Sequence, residues 1–376
     1  MNTSDTLIVG AGIAGASLAW RLAQRGHAVT LLEREAQPGT HSTGRSAAHF
    51  MESYGPPQVR ALTRAGRGFY LNPPAGFSDD ALITPRAALT VGRPDQTAEL
   101  DAIFQTLSGS ATRVRRLDAA ETLALLPILD PAQVGGCVLD EDGYDMDVNA
   151  LLQGFLRGAR AAGTQLRTGA EVLSATHDGQ AWTVTLADGS TLRAATLVNA
   201  AGAWADELAE RAGARPIGIE PRRRSAFTFR APEDMDPTDW PMVIDADETW
   251  YIKPDAGQLL GSPANADPTT PHDVQPEELD IATGIYRIEE MTTLRIRRPT
   301  ATWAGLRSFV KDGEIVIGFD AQTPRFFWLA AQGGYGIQSA AGASWLAASQ
   351  ILGAVMPPEL AAQGVDMSAV SPARLR

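Results

Sequence analysis

The chain has 376 residues, 44% hydrophobic and 20% charged, which is ordinary for a folded globular protein and excludes a disordered or fibrous one. Its 32 basic residues against 44 acidic ones leave a net charge of −12, which argues against a nucleic-acid partner because phosphate backbones recruit Lys and Arg. The single cysteine, Cys137, excludes an internal disulfide and a Cys-rich metal site, so no metal is expected, and it fits a reducing compartment.

Length alone implies two or three domains. No run reaches the roughly 20 uninterrupted apolar residues needed to span a bilayer. The N-terminus is apolar but lacks a basic flank and is broken by Gly10, Gly12 and Gly15, so it reads as part of the fold rather than a signal peptide. The expected location is the cytoplasm, with peripheral attachment to the inner face of the membrane as a variant.

Taken in chain order, Thr6 to Val9 is a short apolar run of buried-strand type. A glycine loop follows, then a helix from about Ile13 to Arg25 that stops at Gly26. Val29 to Leu32 is the second strand, and a small polar stretch runs from Gly39 to Ser46. Strands near Ala88–Val91 and a helix near Thr97–Leu107 come next. Asp147 is placed to cap a helix reaching Ala162, with Gly163 as its stop. Ala181–Leu186 turns at Asp188-Gly189 into Thr191–Arg193, a hairpin signal. A separate buried strand is expected at Thr196–Val198, ending at Asn199-Ala200-Ala201-Gly202. Residues 219–302 are richer in Arg, Pro and aromatics, and a last helix follows Gly336. The pattern predicts an α/β fold. A Rossmann-like doubly wound parallel sheet would comprise residues 1–85, 145–218 and 303–376. An inserted α+β substrate domain would comprise 86–144 and 219–302.

Gly10-Ala11-Gly12-Ile13-Ala14-Gly15 lies between the first strand and the first helix. The first glycine permits the turn, the second lets backbone approach a pyrophosphate, and the third lets helix pack on strand. The helix N-terminus offers N–H groups to the phosphates, and Glu33 ends the second strand where a ribose would lie. These residues leave NAD and FAD open. The polar loop from Gly39 through His41, Ser42 and Arg45 to His49 suits a larger cofactor whose ring lies farther along.

The chain resembles the D-amino-acid oxidase superfamily of FAD-dependent amine oxidoreductases. The resemblance rests on the glycine loop with Glu33-Arg34, the loop Ser42–His49, the run Val198–Trp204, and the paired runs Trp303–Arg307 and Gly333–Gln338. Within it, the runs Glu33–His49 and Arg223–Phe227 look most like bacterial dehydrogenases of the D-arginine dehydrogenase type. The resemblance implies FAD held by Gly10, Gly12, Ile13, Ala14, Gly15, Glu33, Arg34, Ser42, Ser46, Ala47, Ala48, Val172, Ala200, Gly202 and Trp204. Arg307, Gly333, Gly334, Tyr335, Gly336, Ile337 and Gln338 would surround the ring. Cys137 lies in none of these stretches, so the flavin is expected to be non-covalent.

A carboxylate substrate needs guanidinium partners, which stay charged and bind in bidentate fashion. The resemblance puts Arg224 and Arg307 in that role, with Tyr54 and Tyr251 closing the pocket. Strand alternation alone places Arg222 and Arg224 on one face and does not choose between them. His49 is the candidate to orient substrate or relay a proton. Met51, Ala88, Met242, Ile244, Gly334 and Gln338 are expected to line the pocket. Family members acting on basic substrates carry an acid where this chain has Ala88, and a polar residue where it has Met51, so apolar side chains are expected to be favoured. Glu52 is the residue that could restore a carboxylate. The implied reaction takes a D-amino acid to an imino acid, then a 2-oxo acid and ammonia, with a quinone or other non-oxygen acceptor. The competing readings are an oxygen-using glycine or sarcosine oxidase, an NAD-dependent dehydrogenase and a non-catalytic cofactor-binding module.

Overall fold

A computed structural model describes residues 3–109 and 113–376. Its first sheet is built around parallel strands. Thr3–Val9 lies between Val29–Leu32 and Thr191–Asn199, with Gln165–Arg167 and Phe326–Ala330 outside them, also parallel. Parallel strands are covered on both faces, which is why Val29–Leu32 and Phe326–Ala330 are buried at every position and read as continuous apolar runs. The helices Ile13–Ala23, Val148–Ala161 and Gly336–Ile351 pack into a common core with these strands. The first helix ends two residues short of Arg25, and Gly26 takes the left-handed conformation, φ 76°. Asp147 caps its helix by accepting the Ala150 N–H at 2.7 Å.

One expectation changes in kind. The two strands foreseen at 191–193 and 196–198 are a single nine-residue strand, Thr191–Asn199. Its first half takes the antiparallel hairpin strand Trp182–Leu186 along one edge, and its last residues take Phe326–Ala330 along the same edge. The change of partner needs no break in the strand.

The second sheet has nine strands. Tyr251–Asp255 and Met242–Asp245 are antiparallel neighbours, and Met242–Asp245 runs parallel to Ala88–Gly92. Ala301–Phe309 pairs with Glu220–Phe229 along its whole length. It therefore belongs to this second sheet, whereas the sequence placed residues from 303 onward in the cofactor domain. Its half-buried alternation fits this antiparallel setting better than a doubly covered parallel one. A third, three-stranded sheet of His49–Phe50, Ile83–Pro85 and Tyr144–Met146 lies where the chain passes between the two larger ones. Among the described residues no helix is long and apolar enough to cross a membrane.

Candidate active site

The parallel strands end at one long cavity of about 430 Å³, bounded by Gly10, Gly12 and Glu33 toward one end and by Arg224, Tyr251 and Arg307 toward the other. At its first end, Gly10 has φ 104°, and a Cβ there would stand 2.3 Å from the Ala200 carbonyl oxygen. Only glycine accepts that backbone at that distance. A Cβ on Gly15 would strike the Gly10 carbonyl oxygen at 1.9 Å, so Gly15 seats the helix on the loop and does not itself line the cavity. Glu33 accepts the Ala11 and Glu35 N–H groups, each at 3.0 Å, which aims its carboxylate across the loop.

The sequence missed Thr43. Its Oγ1 accepts the Ile13 N–H at 3.0 Å and so occupies one of the orphan donors of the first helical turn. Ser42, expected at the flavin, donates to the Leu306 carbonyl at 2.6 Å and ties the loop to the second sheet. Ala48 has φ 45°, and its N–H is held by the Ser46 hydroxyl at 3.0 Å. Arg34 lies 4.0 Å over the Trp204 ring, and the His41 ring is 4.7 Å from that ring. Val172, Ala200, Gly202, Ala47, Ile13 and Ala14 all line the cavity.

At the far end the helix Gly336–Ile351 opens without a side-chain cap, and Gly333, Gly334, Gly336, Ile337 and Gln338 line the cavity beside it. Gln338 accepts the Met51 N–H at 3.2 Å and donates to the Tyr54 carbonyl at 3.1 Å, fixing the segment that carries both. Tyr335 stands behind the lining, its ring 4.9 Å from that of Tyr54. Burial, with Tyr54 adding to it, pushes its hydroxyl up to about 12.

The substrate end is dominated by two guanidinium groups. Arg307 donates to the Tyr54 hydroxyl at 3.0 Å and lies over the Phe309 ring. A Cβ on Gly334 would fall 1.9 Å from Arg307 Nη2, so glycine there makes room for the arginine. Arg224 donates from Nε to the Asn265 carbonyl at 2.6 Å. Burial, and then the charge of Arg307, lower its pKa. Arg222 instead pairs with Glu220 at 2.6 Å and is partly exposed, and Arg223, on the opposite face, is held by Asp280 at 2.9 Å. Met51, Met242, Ile244, Tyr54 and Tyr251 line this end.

One expected pocket residue is elsewhere, and so is the acid that could have compensated for it. Ala88 is 2% exposed and stays behind the wall, while Thr90, two residues on and on the same strand face, reaches the cavity. Glu52 turns away to Arg67 at 3.3 Å, and burial raises its pKa. Glu248 also lines the cavity, besides Glu33, Glu171 and Glu207, and sits on a tight turn with φ 52°. Ile103 and Leu107, one turn apart on the helix Thr97–Ser108, also line it. No local signal in the sequence marks these residues, because helix and cavity meet only through the tertiary fold.

His49 is near the cavity, but its ring nitrogens are sealed from solvent and lack hydrogen-bond partners. Its Nδ1 lies 3.5 Å from Asp145 Oδ1, long for a hydrogen bond. Burial lowers the His49 pKa. The residue itself lines the cavity, but in this arrangement neither ring nitrogen is exposed to it.

Two helix N-termini, one with a first-turn donor already taken by Thr43, a glycine-lined approach and the acid Glu33 fit a dinucleotide flavin, and two buried cations fit an anionic substrate beside it. The fold and cavity thus define an oxidoreductase that binds a dinucleotide cofactor. The chain belongs to the FAD dependent oxidoreductase (DAO) family, whose model matches residues 5–350. It is 26% identical over 354 residues to a glycine oxidase of Bacillus licheniformis, covering 93% of each chain. It is 31% identical over 286 residues to the bifunctional tRNA 5-methylaminomethyl-2-thiouridine biosynthesis protein MnmC of Burkholderia vietnamiensis, covering 73% of this chain and 41% of that protein. The matched stretch spans less than half the length of this and the next curated relatives. The crystal structure of glycine oxidase from Geobacillus kaustophilus superposes with a TM-score of 0.84 at 21% identity, over 99% of this chain and 98% of that one. L-proline dehydrogenase from P. horikoshii superposes with a TM-score of 0.83 at 22% identity, with the same coverage. The cofactor of the family is FAD.

Proposed function

We propose that the protein oxidises D-amino acids to imino acids, which water converts to 2-oxo acids and ammonia, and that it passes the electrons to a quinone or another acceptor in preference to oxygen. The observation that carries the reading is the pair Arg224 and Arg307 at one end of the cavity, unmatched by any carboxylate ion pair among the described residues. Two buried like charges repel, and Arg224 feels Arg307. An incoming carboxylate relieves that repulsion and accepts several charge-assisted hydrogen bonds. Tyr54 and Tyr251 then close over it.

Bound FAD supplies the two-electron acceptor for the hydride that leaves Cα. The protein's own part is positioning and exclusion of water. Arg224 and Arg307 fix the carboxylate, the Gly333–Gln338 turn backs the ring end, and the substrate side chain lies against Met242, Ile244, Thr90, Ile103 and Leu107. The preference for the D configuration rests on the resemblance in the flavin loop and the Arg223–Phe227 run. The amine proton leaves to water, since no side chain here is placed as an obligatory base.

A second reading is an oxygen-using glycine or sarcosine oxidase, favoured by the full-length similarity to glycine oxidase. The five apolar and small side chains beyond the arginines are more than glycine needs, which supports the first. The test is anaerobic flavin reduction against D- and L-amino acids, glycine and sarcosine, followed by peroxide measurement in air. Bleaching by D-amino acids with little peroxide supports the proposal. Bleaching by glycine or sarcosine alone, with stoichiometric peroxide, overturns it.

A further inference from the structure

Behind His49 lies a charge cluster, buried at Lys253 and partly open at Arg86 and Asp145, that the proposed reaction does not use. Lys253, one of two lysines in the chain, is 4% exposed and donates to Asp145 Oδ1 at 2.7 Å. Arg86 holds the other oxygen, Oδ2, and also donates to the Thr238 and Trp240 carbonyls. Asp145 stands opposite His49 in the register of the small sheet. One carboxylate is therefore shared by two fixed cations, and His49 Nδ1 is left 3.5 Å from the oxygen that Lys253 has taken.

The charge balance decides the state of the ring. The groups facing His49 are Asp145 from the strand Tyr144–Met146, Lys253 from Tyr251–Asp255, and Arg86 from the turn after Ile83–Pro85. One negative and two positive charges sum to an excess of one positive. A proton on His49 would add a second positive charge whose nearest acceptor, Asp145 Oδ1 at 3.5 Å, is already bonded to Lys253, and burial makes that costly. Lys253 also lies two residues from Tyr251 on the same strand, hence on the same face, and Tyr251 lines the cavity.

We propose that Lys253 is a positioning residue: by claiming Asp145 it withholds that carboxylate from His49, keeps the imidazole neutral beside the flavin loop, and pins the strand that carries Tyr251. The inference does not depend on which amine is oxidised. A buried ion pair is a weak source of stability, so the effect of this one is sought in its neighbours. Asp145 itself is held well below the usual carboxylate range. Burial works against this, but His49, Lys253 and Arg86 outweigh it.

The test is an NMR titration of the histidine ring protons in the FAD-loaded protein, with the His49 signal identified by its loss in His49→Gln. The wild-type His49 signal is expected to stay fixed between pH 8 and about pH 5.5, below the reference pKa of about 6.5. Lys253→Met frees Asp145 for His49 and is expected to bring a midpoint into that window, while Lys253→Arg keeps the wild-type behaviour. Lys253→Gln carries the same expectation if Lys253→Met does not fold. The pH profile of anaerobic flavin reduction should gain an ionisation in the uncharged variants and none in Lys253→Arg, whereas a purely structural role would lower the rate at every pH alike. A wild-type His49 that titrates near its reference pKa, or a His49 that stays silent in both uncharged variants, overturns the proposal. Since the NMR signal needs no turnover, its outcome is separate from whether D-amino acids are substrates.

Discussion

Arg224 and Arg307 stand on adjacent antiparallel strands offset by two residues: Arg307 pairs in register with Arg222, and Arg224 pairs with Gly305. Arg224 thus faces a position with no side chain, and its guanidinium turns into the cavity. Arg222 turns out to Glu220 and the Phe309 ring. We expect Arg224→Ala and Arg307→Ala each to lower kcat/KM by an amount corresponding to roughly 2–5 kcal/mol, the cost of truncating one partner of a buried charge-assisted pair. Arg222→Ala should fall within about 0.5 kcal/mol of wild type, as exposed substitutions usually do. Stopped-flow flavin reduction with one substrate at several concentrations measures all three. Equal losses at 222 and 224 would refute the assignment.

The flavin is expected to come off the chain intact. Cys137 is fully buried in the core of the second sheet with Leu89 and Val91, and it does not line the cavity. Burial also pushes its thiol up to about 11, away from the thiolate that a covalent bond would need. Acid precipitation should leave all the yellow colour in the supernatant, and mass spectrometry of the denatured chain should show no added flavin. Colour in the pellet after extensive washing would contradict this.

The cofactor half of the site was legible because its signals are local. Gly10, Gly12, Gly15 and Glu33 sit within one β-α-β unit, and their spacing carries the geometry. The choice of Arg224 over Arg222 was not, since alternation gives both the same face, and only the pairing with Gly305 separates them. Thr43, Thr90, Ile103, Leu107 and Glu248 were invisible for a related reason. Each is an unremarkable residue in its own segment and meets the cavity through contacts distant in sequence. Lys253 and Asp145 are 108 positions apart, so no window on the sequence could join them. The pairing of Ala301–Phe309 with Glu220–Phe229 was not legible, because a strand's own residues do not say which neighbour will pair with it.

Acid sensitivity should carry the signature of His49. Burial depresses its pKa in the folded state. In the unfolded chain it takes up a proton near pH 6.5, while the folded ring stays neutral. Its contribution to stability is therefore complete above about pH 6.5 and is lost as the pH falls toward the folded-state value. Melting temperature should drop between pH 7.5 and 5.5, and His49→Gln, which cannot titrate, should flatten that drop. Asp145 has a depressed pKa of its own, so its stabilising share is lost at lower pH, below about 4 where free aspartate titrates. A His49→Gln variant with the wild-type slope between pH 7.5 and 5.5 would show that other groups carry it.

Specificity is the sharpest test of the pocket. Thr90, Ile103, Leu107, Met242 and Ile244 line the cavity and would form the side-chain wall in the proposed reading, where each Å² of apolar surface buried is worth roughly 25 cal/mol. A guanidinium pressed against that wall would lose hydration without a counter-charge, at a cost of several kcal/mol. D-Leu, D-Met and D-Phe should accordingly show higher kcat/KM than D-Arg, and about 1.4 kcal/mol of difference makes tenfold. Ile103→Ala with Leu107→Ala should reduce kcat/KM for D-Phe about tenfold while leaving D-Ala nearly unchanged, because the smaller side chain does not reach the helix. An added acid should reverse the preference. Thr90→Glu places the carboxylate directly in the cavity, and Ala88→Glu places it one step behind on the same strand face, so the first should favour D-Arg more strongly. A wild-type enzyme that already prefers D-Arg would mean that Glu248 supplies the charge, since Glu52 is committed to Arg67. Glu248→Gln would then be expected to abolish that preference, and the apolar reading of the wall would fall with it.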